Sequence, residues 1–266
     1  MLFRQLFDPE TSTFSYLLAD PVSREAVLID SVFEQLERDV KLIEELDLKL
    51  TFAAETHVHA DHVTASGRLR ERLGCQIAVS DAAPVPDADL HLKDGDQLRF
   101  GALRLEVLAT PGHTKGCVSY LCRDAGMVFT GDALLIRGCG RTDFQEGDAT
   151  MLFSSIREKI FSLPKEVTVY PGHDYHGRLV STVDEEERFN PRMGLEKSVE
   201  EFVALMGELN LAYPKKIDIA VPANLLCGLS VPLASPDGAS DSSGAVAVVM
   251  EKSGRQDAEI WMGVGI

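Results

Sequence analysis

Apolar residues along this chain follow two alternating rhythms. Ala26-Val27-Leu28-Ile29 is an unbroken apolar run of strand length that stops at Asp30, and Phe33, Leu36, Val40 and Ile43 then recur on one face of a helix. Leu50-Thr51-Phe52-Ala53-Ala54 predicts a second strand; Ala65, Leu69 and Leu73, with Gly74 as a stop, predict the helix that follows it. From Gln97 to Val107 apolar and polar residues alternate about Gly101, as in a half-exposed hairpin, and Val118-Ser119-Tyr120-Leu121-Cys122 and Met127-Val128-Phe129 continue the sheet. Asp148 is placed to cap a helix that carries Leu152, Ile156 and Ile160 and ends before Pro164. Val167-Thr168-Val169-Tyr170 predicts one more strand. Beyond it Val199, Phe202, Leu205 or Met206, and Leu209 form a packing stripe on an acidic helix. Strands and helices in alternation predict an α/β chain, in the broad sense that includes α+β.

Composition narrows the partners. A chain of 266 residues can bury a substantial core, and a formal net charge of −16 opposes nucleic acid and anionic membrane surfaces, which need clustered Lys and Arg. No apolar run approaches bilayer length, and the opening Met1-Leu2-Phe3-Arg4-Gln5-Leu6-Phe7-Asp8-Pro9-Glu10 has neither a signal h-region nor a transit composition, so the expectation is a cytoplasmic protein. The five cysteines Cys75, Cys117, Cys122, Cys139 and Cys227 are scattered, without a Cys-x-x-Cys pair, which argues for a reducing compartment. From Ala234 to Gly244 the composition turns to Ser, Asp, Gly and Pro. The expected division is therefore a catalytic domain over 1–233 and a polar linker with a C-terminal extension over 234–266, including a strand or two around Ala245–Met250.

The chemistry lies at the strand ends. Thr56-His57-Val58-His59-Ala60-Asp61-His62 sets three imidazoles and a carboxylate directly behind an apolar run, a concentration of costly-to-bury polar groups that only a ligated ion explains well. Thr110-Pro111-Gly112-His113, Phe129-Thr130-Gly131-Asp132 and Tyr170-Pro171-Gly172-His173 supply matching donors, each after a strand. A lone His or a lone Thr-Gly-Asp is commonly structural. Four such ends in order can meet at one point, because ligands in layered α/β folds gather at the carboxyl ends of strands.

His57-x-His59-x-Asp61-His62, followed by His113, Asp132 and His173, resembles the metallo-β-lactamase superfamily, and the resemblance implies its αββα four-layer sandwich. The flanks are more specific. Glu55–His62, Gly131–Gln145 and His173-Asp174-Tyr175-His176-Gly177 are similar to the persulfide dioxygenase (sulfur dioxygenase) family, as are Glu187-Arg188-Phe189-Asn190-Pro191-Arg192 and Val221–Gly228; the likeness runs to about Leu229.

That resemblance implies one Fe(II) per chain on His57, His113 and Asp132, glutathione persulfide and O2 as substrates, and sulfite and glutathione as products of sulfide detoxification. Two neutral imidazoles and one carboxylate form a facial triad with open positions, and a redox-inert ion could not reduce O2. His59, Asp61, His62 and His173 are then partners of the ligands and water, or donors to a second metal, since their spacing alone forbids neither. Arg141 is the leading contact for the substrate's carboxylates, Tyr175 a hydrogen-bond donor into the site or a packing residue, and Cys139 and Cys227 candidate reactive thiols. The alternative is a glyoxalase-II-like hydrolase of glutathione thioesters, with two metals and a bridging hydroxide; a decayed metal site serving as an interaction module is disfavoured by the complete donor set. A homodimer fits either reading, and the sequence leaves the oligomeric state open. No cysteine follows Cys227, so the rhodanese fused to some relatives is not expected, and 234–266 departs from the family pattern.

Overall fold

Residues 1–232 are described by the computed structural model; the linker and strands expected within 234–266 lie outside them. Two six-stranded sheets stack face to face. The first runs in the order β1 (Leu2–Asp8), β2 (Thr13–Ala19), β3 (Glu25–Ile29), β4 (Lys49–Ala54), β5 (Gln76–Ser80), β6 (Leu90–Leu92), antiparallel from β1 to β3 and parallel from β3 to β6. The second runs β12 (Ser181–Thr182), β11 (Thr168–Pro171), β10 (Met127–Gly131), β9 (Val118–Cys122), β8 (Leu103–Ala109), β7 (Gln97–Phe100), with β10 and β11 as its parallel pair.

Side chains alternate across each strand, so one sequence run feeds two cores. Val27 and Ile29 of β3 face the opposing sheet, with Phe14, Tyr16, Phe52, Tyr120 and Phe129, while Ala26 and Leu28 face the helices. The helices α1 (Leu36–Glu45) and α2 (Ser66–Leu73) cover the first sheet through Leu36, Val40, Ile43 and Leu69. On the second, α3 (Ala149–Ser155) and α5 (Val199–Gly207) bring Leu152 and Phe202 against Val128 and Val169. The layers are αββα, as the resemblance implies. Fully burying each large apolar side chain contributes about 1.5–3 kcal/mol. The polar Tyr16 hydroxyl enters this core by donating to the Pro171 carbonyl at 2.6 Å.

The expected elements form with small shifts. Asp148 caps α3, its carboxylate accepting from the Met151 amide at 2.8 Å, but the helix widens after Ser155 into π-type turns over Ile156–Ile160. Strict four-residue spacing of Leu152, Ile156 and Ile160 drifts by about 40° per step on an α-helix; wider turns keep all three on one core. The strand read over Val167–Tyr170 forms one residue later. Not read from the pattern were β1, β2, β5, β6 and β12, nor α4 (Val183–Phe189) and α6 (Ile217–Asn224) as individual helices. All seven residues of β2 are buried, so it carries no in–out polarity to betray it.

The carboxyl ends of β3, β4, β8, β10 and β11 share one edge of the sandwich. Asp30, the histidine loop, His113, Asp132 and His173 all leave from there.

Candidate metal centre

The loop Glu55–His62 is held from three sides before any ion is considered. Asp30, in the left-handed region at φ 53, accepts the Thr56 amide at 2.7 Å and the Thr56 hydroxyl at 2.8 Å. Asn224, from α6, donates to the carbonyls of His59 (2.8 Å) and His62 (2.9 Å) and accepts the Thr64 amide at 2.8 Å. Tyr120 donates to the Glu55 carbonyl at 2.9 Å. Asp30 and Asn224 are functional in this sense, and single polar residues without a motif around them are poor sequence signals; Asn224 stood only within a block of family likeness.

Donor atoms of His57, His113 and Asp132 gather within 4.8 Å of one another, and His113 Nε2 and Asp132 Oδ2 lie 3.8 Å apart. That separation is less than twice a metal–ligand bond of roughly 2.1 Å. Both imidazoles are oriented from behind. His113 Nδ1–H donates to the Arg141 carbonyl at 2.6 Å, and His57 Nδ1–H donates to Thr56 Oγ1 at 2.9 Å, which itself donates to Asp30. Each thus turns its Nε2 inward, with outer partners of the kind that fix tautomers at metal sites. Burial, with His59 and His113 nearby, pushes the His57 pKa well down, so it is a neutral donor. Burial would raise the Asp132 carboxyl, yet the charge and hydrogen bond of His173 hold it far below the usual carboxylate range. Gly140 passes so close that a Cβ there would sit 2.5 Å from the Asp132 carbonyl and 2.7 Å from His113 Nδ1. The set fits a first-row divalent metal.

The remaining donors are differently employed. His173 spends both ring nitrogens on carboxylates, Nδ1 on Asp132 at 2.6 Å and Nε2 on Asp61 at 3.0 Å. Burial opposes its charge, but Asp132 and Asp61 carry its pKa well above normal, so it is a buried cation. Asp61 accepts also from His62 Nδ1 (2.9 Å) and from Thr13 (3.2 Å), a β2 residue absent from the sequence reading. His59 Nε2 lies 3.2 Å from Asp30 and 3.3 Å from Glu55; against the opposing effect of burial these carboxylates lift its pKa to about 10. His59 Nδ1 and His62 Nε2 are buried without a hydrogen-bond partner.

A cleft of ≈770 Å³ opens over His57, His113 and Asp132, within the size of small-molecule sites. Arg141 and Tyr175 both line it. The Arg141 guanidinium is engaged by both Asp143 oxygens (2.6 and 2.7 Å) and the Ala212 carbonyl (2.8 Å), and it lies over the Phe144 ring. Tyr175 is 68% exposed and stacks parallel to His173 at 6.0 Å. Arg192 and Lys215 add positive charge to the lining and have no carboxylate partner among the described residues. Cys139 packs its sulfur 3.8 Å from Met206 Sδ, and burial pushes its thiol and that of Cys227 up to about 11, so neither is an activated thiolate.

Imidazoles and a carboxylate converging at the strand ends of an αββα sandwich define a metalloenzyme of the metallo-β-lactamase type, and the family model "Metallo-beta-lactamase superfamily" matches residues 8–173. Within it, the chain belongs to the persulfide dioxygenase family. It is 57% identical over 235 residues to the human mitochondrial persulfide dioxygenase ETHE1, covering 88% of this chain and 91% of that one. The crystal structure of ETHE1 from Myxococcus xanthus superposes with a TM-score of 0.83 at 54% identity, over 86% of this chain and 100% of that one. A hydroxyacylglutathione hydrolase of Brucella ovis is more distant, 32% identical over 219 residues and covering 80% and 81% of the two chains. The donor cluster and the family together support a metal cofactor.

Proposed function

We propose that the chain oxidises glutathione persulfide with O2 at one ferrous ion held by His57, His113 and Asp132. The balanced reaction takes persulfide, O2 and water to glutathione, sulfite and two protons; the outer sulfur gives four electrons to O2. Ferrous iron would supply the one-electron chemistry that O2 requires and a coordination site for the persulfide sulfur.

The protein's part is orientation and charge. His57 and His113 are pinned by Thr56 and Arg141 with their Nε2 atoms beside the Asp132 carboxylate, where the three would hold the ion next to the cleft that admits substrates. Arg192 and Lys215 are the cations we assign to the glutathione carboxylates. Arg141, with its guanidinium engaged, acts in this reading through its carbonyl on His113, and Tyr175 borders the entering substrate. No helix among the described residues is long and apolar enough to cross a membrane, and five free buried cysteines suit a reducing compartment such as the cytoplasm.

One observation favours a single metal: His173 has both nitrogens committed to Asp132 and Asp61, so a second ion would have only His59, Asp61 and His62 to hold it. The two-metal thioester hydrolase is the second reading, supported by the unpartnered nitrogens of His59 and His62. Elemental analysis of protein purified without oxygen, paired with O2 uptake on adding glutathione persulfide, separates them. About one iron per chain with equimolar O2 uptake and sulfite release is expected; two zincs and no uptake would move the assignment to hydrolysis.

A further inference from the structure

The segment after Asp132 is gripped residue by residue, and most of the grip comes from α4, which the chemistry above leaves unused. Glu186, in the middle of α4, is completely buried and gathers four donors. These are the Arg137 amide at 2.9 Å, the Arg137 guanidinium, the Ser181 hydroxyl at 2.6 Å and the Asn190 amide group at 2.8 Å. Asn190, at the C-terminus of α4, also donates to the Gly138 carbonyl at 3.0 Å, and Arg192 donates to the Cys139 carbonyl at 3.1 Å. Arg137 itself sits in the left-handed region at φ 61, which a side chain other than Gly occupies at a cost unless neighbours hold it there.

On its other side the same segment touches the metal donors. The Gly140 amide donates to the Asp132 carbonyl at 2.7 Å, and the Arg141 carbonyl accepts from His113 Nδ1 at 2.6 Å. We propose that Glu186 and Asn190 are positioning residues for the metal centre: through Arg137–Arg141 they fix the carbonyl that orients His113 and the wall of the cleft beside Asp132. The inference rests on His113 and Asp132 being metal ligands, and is independent of which metal or sulfur substrate is used. A buried carboxylate saturated by donors from a turn is rigid, because breaking any one bond leaves an uncompensated buried group. Rigidity here is transmitted along the backbone of Arg137–Arg141, which the hydrogen bonds already named hold on both sides.

The test is cobalt(II) binding to the metal-free full-length protein, followed by the visible spectrum of the bound ion, in wild type, Glu186→Gln and Asn190→Ala. Asn190→Ala leaves the Arg137–Glu186 pair in place and stays informative where Glu186→Gln fails to fold. Loss of a partner bonded directly to a ligand weakens metal binding about 10–100-fold, and Asn190, which acts on the segment bearing that partner, is set at the lower end, about 10-fold. The expected result is that loss in affinity together with an altered ligand-field spectrum in Asn190→Ala. A lowered unfolding temperature with wild-type affinity and spectrum would overturn the inference and leave Glu186 and Asn190 as stabilisers of α4. Absence of cobalt binding in the wild type, by contrast, would count against the metal centre itself.

Discussion

At the scale of single residues, a set of strand-end donors was legible in the spacing, while its division into ligands and their partners came only from the family resemblance. A His-x-His-x-Asp-His run behind a strand announces metal chemistry, but which imidazole ligates depends on what stands behind each ring, and those partners come from Asp30, Thr13, Glu55 and Arg141, far away in sequence. His59 illustrates the difference: both neighbouring carboxylates address its Nε2, and its donor atoms group with Asp61 and His62 or with Asp30 and Glu55, while His57 groups with His113 and Asp132. His59→Ala is therefore expected to keep about one metal per chain by elemental analysis while losing roughly 10–100-fold in activity; loss of the metal would contradict the three-donor assignment. The same residue has a pH signature in the metal-free protein. Its folded pKa, about 10, lies above the ordinary 6.5, so its contribution is full below pH 6.5 and is lost as pH rises towards 10. Chemical unfolding of the metal-free protein should show stability falling by up to about 1.4 kcal/mol per pH unit across that window from this one proton. His59→Gln should flatten the decline.

At the scale of elements, strands and helices with one wet face were readable, and fully buried ones were not. Helix α1 declares itself through Leu36, Val40 and Ile43, whereas β2 shows no alternation because the opposing sheet covers one face and the helices cover the other. Helix α3 ties element to site: Gly112, just before His113, runs at φ 134 against the backbone of Leu152, with no room for a Cβ. Gly112→Ala should shift His113 and lower metal content, measured after gel filtration. Asp148→Ala removes only the cap, at a cost of about 1 kcal/mol, because the link from Asp148 to the Gly112 carbonyl is made by its amide and survives. Its melting temperature should fall by roughly 2–4 °C with metal content unchanged.

For the whole molecule, the resemblance carried the layer order that periodicity alone left open, while the charge of the cleft emerged only on folding. A chain with net charge −16 places Arg192 and Lys215 in the cleft above the donors, a local reversal that a sum over residues hides. Because the donors come from strand ends across both sheets, metal binding and global stability are coupled. At a free metal concentration 100 times the dissociation constant, the bound ion should add about 2.7 kcal/mol, and chelation should lower the melting temperature accordingly in differential scanning calorimetry. The placement of the five cysteines has a further meaning. A persulfide readily passes its outer sulfur to an accessible thiolate, so an enzyme that concentrates persulfides beside its own backbone risks becoming their acceptor. Every thiol in this chain is buried, and Cys139, a lining residue of the cleft, turns its sulfur onto Met206: the fold withholds from the reagent the acceptors that would otherwise compete for its sulfur.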